Sequence, residues 1–101
     1  MRLAVILKNI NLSALNSSLR EVLLFDADQD VIVAIGGESI PIHNINYFCL
    51  WLLAKKVKRI YCDEIVQSGK NFLKKAGIDT QPLEKIRDNP ILAALLIKKS
   101  E

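Results

Sequence analysis

The sequence predicts an α/β protein with a mixed five-stranded sheet flanked by helices. The chain opens on a continuous apolar run, and two β-branched segments joined by a short acidic connection follow. The second half alternates short strands with helical patterns. Strand–helix–strand units require parallel pairing with a right-handed crossover, whereas a hairpin supplies antiparallel strands. The sheet should therefore contain both kinds of pairing.

The first half of the chain should form three strands. Residues 2–8 are apolar at their centre, as in a strand buried on both faces. Residues 9–18 are rich in Asn and Ser, which predicts a loop with one helical turn over 12–15. Strands over 21–26 and 31–35 are expected to form the hairpin, and Gly36-Gly37 to end it.

The second half should contain three helices and two strands, with helices over 46–57, 65–76 and 90–98 and strands over 59–62 and 78–83. One stripe of the second helix contains Ile65, Gly69, Phe72, Leu73 and Ala76. Gly77 is expected to end that helix in a left-handed conformation. Asn89-Pro90 is typical of an N-cap followed by proline at the first helical position.

The size and composition fit one domain over residues 1–101. The longest apolar runs, 48–54 and 91–97, have seven residues, whereas a helix that spans a bilayer needs about 20. We therefore expect no membrane segment. Two cysteines in a chain that starts without an export signal are best interpreted as reduced thiols of a cytoplasmic protein.

The net charge of +3 is unevenly distributed. Residues 1–54 carry three basic and five acidic side chains, and all the other basic side chains lie in residues 55–101. Three lysine pairs, at 55–56, 74–75 and 98–99, close apolar helical stretches, where they complement the helix dipole. The few aromatic residues are not interleaved with the cations, as a stacking platform for bases would require. Nucleic-acid binding is accordingly the weaker alternative.

Four residues are candidate ligands for a metal or cofactor, namely His43, Cys62, Asp63 and Glu64. Structural zinc usually has four ligands in short Cys-x₂₋₄-Cys spacings, and these residues together with Cys49 lack that pattern. Acidic residues are also favoured at a helix start, and two acids after Cys62 should raise the pKa of its thiol. We expect a non-catalytic protein without a cofactor. The alternative is a metal or cofactor carrier that uses His43, Cys62 or Asp63.

Several segments resemble a known family in their order along the chain. They are residues 2–7 (RLAVIL), 22–30 (VLLFDADQD), 58–65 (KRIYCDEI) and 71–78 (NFLKKAGI). These resemble the first strand, the acidic hairpin, and the late strand and helix of the dinitrogenase iron–molybdenum cofactor biosynthesis family. The resemblance implies a ribonuclease H-like fold and an accessory function in cofactor biosynthesis.

Two departures from the family pattern bear on the function. Members that carry cofactor have a His-Phe-Gly motif before the hairpin, where residues 16–21 of this chain read NSSLRE. The usual glycine-rich turn after the late strand is replaced by CDEIV. Nucleases of the ribonuclease H-like fold place a carboxylate in the first strand, and residues 2–8 contain none. The resemblance therefore implies a member without the cluster-binding site and without nuclease activity.

The helix over 46–57 is apolar on two sides. The side assigned to the sheet contains Ile45, Phe48, Cys49, Leu52 and Leu53, and the opposite side contains Tyr47, Leu50, Trp51 and Ala54. A helix that is apolar on both sides must be covered on both sides. The last helix could cover it, within one chain or across two, because residues 91–97 have no polar side chain. We expect a homodimer, or another protein, at this second face.

Overall fold

The computed structural model of the protein describes residues 1–7, 19–29 and 31–100, with side chains described up to residue 96. The described elements are, in order, β1 (Arg2–Leu7), β2 (Leu19–Asp28), β3 (Val31–Pro41), α1 (Ile45–Ala54), β4 (Val57–Tyr61), α2 (Gln67–Lys75), β5 (Asp79–Gln81), a 3₁₀-helix (Leu83–Asp88) and α3 (Pro90–Ser100). The loop predicted over residues 9–18 lies outside the described residues, as does Asp30.

The five strands form one sheet in the order β3-β2-β1-β4-β5. The pairs β1–β2 and β2–β3 are antiparallel, whereas β1–β4 and β4–β5 are parallel. The predicted α/β fold with a mixed five-stranded sheet flanked by helices is therefore confirmed. None of the helices in the described part of the chain has the length and apolar character needed to cross a bilayer.

Both faces of the sheet are covered, which explains why β1 is apolar along its whole length. Ala4 and Ile6 belong to the core beneath α1 and α2. Leu3 and Val5 point to the opposite face and belong to the core formed with the 3₁₀-helix and α3. Among the described residues, no polar or charged residue is buried.

The hairpin is longer than predicted, because Gly36 and Gly37 do not end β3. The strand continues to Pro41, and its pairing with β2 shifts where Leu24 faces Gly36 and Phe25 faces Ala34, which leaves Ile35 as an extra residue. This is a β-bulge on an edge strand, a position at which glycine is well tolerated.

The helix α1 is shorter than predicted and ends at Ala54. Lys56 has a φ of 63°, which reverses the chain so that β4 can start at Val57. At the other end, the Asn44 side chain accepts a hydrogen bond from the Tyr47 amide at 3.2 Å. A side-chain cap and a left-handed residue therefore set the two ends of α1.

The C-terminal region differs from the prediction in two ways. β5 has only three residues because Pro82, which lacks an amide donor, follows it, and a 3₁₀-helix that the sequence analysis missed comes next. The Asn89 side chain accepts the Leu92 amide at 3.2 Å, so the predicted N-cap of α3 is confirmed. α3 lies on the sheet face opposite α1, and the expectation that it covers α1 within one chain is wrong.

Candidate binding surface between two helices

The thiol of Cys62 is enclosed in the core. The residue is 1% exposed, and burial raises the pKa of the thiol. Hydrogen bonds from the Glu64 and Ile65 backbone oppose this rise in part, and the nearby carboxylates of Glu64 and Asp63 add to it. Cys49 is also buried, on the side of α1 that faces the core, and burial raises the pKa of its thiol as well. Both thiols are thus protonated at neutral pH, a form that is a poor nucleophile and a poor metal ligand.

The two carboxylates after Cys62 already have partners. Asp63 accepts a hydrogen bond from the Leu83 amide at 3.0 Å and so holds the start of the 3₁₀-helix. Glu64 receives the Nε of Arg20 on both of its oxygens, at 2.9 and 3.2 Å. Both contacts join distant parts of the chain, and we therefore interpret these acids as structural.

His43 is exposed and lies apart from the thiols. It lines a cavity of about 530 Å³ together with Glu64, Ser68 and apolar side chains, whereas Cys62 and Asp63 do not line it. Within the described ranges, no three His, Cys, Asp or Glu residues come together as metal ligands. The structure therefore brings only two of the four candidate ligands, His43 and Glu64, to one place.

The predicted interface residues of α1 divide into two groups. Tyr47, Leu50 and Ala54 are exposed. Trp51 is partly buried, because its Nε1 donates a hydrogen bond to a Glu38 carboxylate oxygen at 2.9 Å and the Lys55 ammonium lies 5.7 Å from its ring centroid. The second face of α1 is thus partly covered within the chain, at Trp51.

One residue of α1 was assigned to the wrong side. Leu53 was expected to face the sheet, yet it is 44% exposed, whereas Phe48, Cys49 and Leu52 are buried. The buried stripe of α1 is narrower than the helical wheel suggested. The sheet covers only one side of this helix, and α2 lies beside it without covering Leu53.

A groove runs between α1 and α2, and we call it the interhelical groove. Its first hollow is the cavity beside His43, between Ile45 and the start of α2. Its second hollow, of about 500 Å³, is lined by Leu50, Leu53 and Lys75. Phe72 lines both hollows and lies between them, so the two hollows adjoin along the groove.

Two groove residues were missed by the sequence analysis. Phe72 was placed on the buried stripe of its helix, but it is 42% exposed, and Val66 is more exposed still. The signal that could have indicated this surface is the absence of charge in α1 together with an apolar stripe on α2 that is wider than one core face requires.

These features define an α/β protein with a mixed sheet and an apolar groove on one helical layer. Comparison with protein-family models and with curated proteins gave no match. Among solved structures, the crystal structure of a protein called PH0822 is similar, with a TM-score of 0.58 and 10% sequence identity. The similarity covers 81% of this chain and 76% of PH0822. At this identity the likeness bears on the fold alone.

Proposed function

We propose that the protein is a small non-catalytic binding domain that contacts another protein, or a second copy of itself, through the helical layer formed by α1 and α2. The observation that carries this proposal is the set of large apolar side chains exposed on that layer, namely Tyr47, Leu50, Leu53, Val66 and Phe72. Monomeric proteins rarely expose a contiguous apolar patch of this kind unless it binds something.

The resemblance to the iron–molybdenum cofactor biosynthesis family extends the proposal to an accessory function in the cytoplasm. The mixed five-stranded sheet with helices on both faces supports the ribonuclease H-like fold that the resemblance implies. The missing His-Phe-Gly motif supports a member without the cluster-binding site.

The alternative, a metal or cofactor carrier, has less support. Cys62 would have to leave the core, and Asp63 and Glu64 would have to give up the contacts that hold Leu83 and Arg20. Freeing the partly buried Glu64 from Arg20 would cost about 1–3 kcal/mol, whereas the Asp63 contact is exposed and costs less to break. His43, which is exposed, would need no such rearrangement.

Sedimentation velocity at micromolar concentration tests which protein covers the layer. Leu50→Asp places a charge on it, and Val31→Asp, at a similarly exposed residue of β3, is the matched control. A dimer that Leu50→Asp splits and Val31→Asp preserves would identify the partner as a second copy. A monomer in all three samples would exclude a second copy and leave a different protein as the proposed partner.

Two further measurements test the alternatives. Metal analysis of anaerobically produced protein should find less than about a tenth of an equivalent, since no site approaches the roughly 10 kcal/mol of a structural zinc. Stoichiometric metal that disappears in His43→Ala would replace the binding domain with a carrier. Binding to DNA or RNA that falls steeply with added salt would indicate a nucleic-acid binder.

A further inference from the structure

We infer that the interhelical groove binds an amphipathic helix of a partner protein, with apolar side chains along one face and carboxylates at one end. This inference rests on the proposed binding function and adds the chemistry of the partner. Its observations are the shape of the groove and the distribution of charge along it.

The groove has the shape of a helix-binding site. α1 has ten residues, and a rise of about 1.5 Å per residue gives it a length of roughly 15 Å. The two hollows follow one another along this length and are separated at Phe72. Helices that bind in grooves insert side chains at i, i+3 or i+4, and i+7, which fits a partner segment of about three turns.

Both helices end at the same end of the groove. β4 and β5 run parallel, and α1 and α2 each precede one of these strands, so their C-termini lie at the same end of the sheet. The hollow linings agree, because the first hollow contains Ile45 and Val66 from the two helix starts. The second hollow contains Leu53 and Lys75 from the two helix ends.

That C-terminal end is strongly basic. α1 contains no charged residue, and α2 contains three lysines and no acid. Lys55 and Lys56 follow α1, and Lys74 and Lys75 close α2; of these four, Lys75 lines the second hollow. Among the described residues, Lys74 and Lys75 have no ion-pair partner, and Lys55 has only a 3.9 Å contact with Glu38. An incoming segment with carboxylates at this end would be attracted and correctly oriented.

Other occupants fit less well. A two-fold dimer whose axis passes through the groove sets groove against groove and leaves both hollows unfilled, and any two-fold dimer through this surface adds the positive charge of the second copy. An anionic bilayer complements the charge, but its flat surface does not fill a concave site. A protruding helix with acidic residues satisfies shape and charge together.

The test is a selection of peptides displayed on a helical scaffold, with randomised surface positions, against the intact protein. The enriched sequences should carry apolar residues at i, i+3 or i+4, and i+7 and a net negative charge toward one end. The best peptide is then synthesised and its Kd is measured by fluorescence anisotropy.

Matched variants locate the binding site. Leu53→Ser should weaken binding at least tenfold, and Ile91→Ser, at an equally exposed leucine-sized residue on the opposite face, should change it less than twofold. The double change Lys74→Glu and Lys75→Glu should weaken binding at least tenfold, whereas Lys85→Glu in the 3₁₀-helix should not. Circular dichroism confirms that each variant is folded.

Several results would overturn the inference. One is enrichment of no sequence, or of sequences that are basic or lack an apolar face, and another is a selected peptide that binds the groove variants as tightly as the original protein. Binding to phosphatidylserine vesicles that Lys74→Glu with Lys75→Glu abolishes, without peptide binding, would assign the surface to membranes. Basic selected peptides whose binding is lost on Leu53→Ser would refute the partner chemistry while the binding domain stands. Metal bound through His43 would refute the proposed function itself.

Discussion

Replacing Gly69 with alanine tests how closely the start of α2 packs against Ile65 and Ile45 at the first hollow of the interhelical groove. A Cβ at this buried position would lie 2.7 Å from Cγ2 of Ile65 and 3.4 Å from Cδ1 of Ile45. The first contact is too short, and the methyl group involved is attached to a β-branched carbon that has few alternative rotamers. The end of Ile45 is more free to move.

Two opposing effects set the magnitude. Alanine is favoured over glycine in a helix interior by about 1 kcal/mol. Overpacking a core typically costs about 1–3 kcal/mol. We therefore expect Gly69→Ala to lower the free energy of unfolding by roughly 1 kcal/mol. Urea unfolding followed by circular dichroism measures this difference.

The Ile65→Ala background reverses the expected sign. Truncating Ile65 at Cβ eliminates the 2.7 Å contact and leaves the end of the Ile45 side chain nearest to the new Cβ of residue 69. Gly69→Ala should then stabilise the Ile65→Ala protein by up to about 1 kcal/mol, because only the helix propensity remains. The same change in stability in both backgrounds would show that the close contact does not exist, and with it the packing assigned to this end of the groove.

Three further predictions concern charge, thiols and capping. The Arg2 guanidinium, through its hydrogen bonds, holds the pKa of the Asp26 carboxyl below its usual 3.8. The Arg2–Asp26 contact therefore stabilises the fold fully above pH 3.8, and this stabilisation is lost as the pH falls through the lower pKa of the folded protein. Asp26→Asn should accordingly flatten the acid limb of a stability–pH curve. Cys49 and Cys62, buried with raised thiol pKa values, should react slowly with iodoacetamide in the native protein and rapidly in urea, and fast native alkylation would contradict their burial. Asn89→Ala should lower the free energy of unfolding by about 1 kcal/mol, whereas Asn89→Asp should keep the cap; equal losses would argue against it.

The fold was largely predictable because its strongest signals are local. The apolar run of β1 and the Asn89-Pro90 helix start each depend on a few neighbouring residues. The end of β3 was not predictable in this way. Gly36-Gly37 has the composition of a turn, but pairing with β2 across the sheet extends the strand through it. Long-range pairing thus overrode a local preference for a turn.

The site was less predictable, because a helical wheel shows which residues share a side but not what lies on that side. Leu53 and Phe72 both belong to apolar stripes, and both were assigned to the core. In the structure, the sheet and the neighbouring helix cover only part of each stripe, and the remainder borders the interhelical groove. How much of each stripe is covered depends on how the sheet and the two helices pack together, and one sequence alone does not give that packing.

The rotation of α1 shows why its uncharged composition indicates a partner. Ile45–Ala54 contains no charged residue, so the position of charge cannot decide which side faces water. The Asn44 cap and the bond from Trp51 to Glu38 help to fix the rotation instead. This rotation leaves Leu50 68% exposed. Full burial of a leucine side chain stabilises by about 1.5–3 kcal/mol, and roughly two-thirds of this, about 1–2 kcal/mol, is available to a partner that covers Leu50.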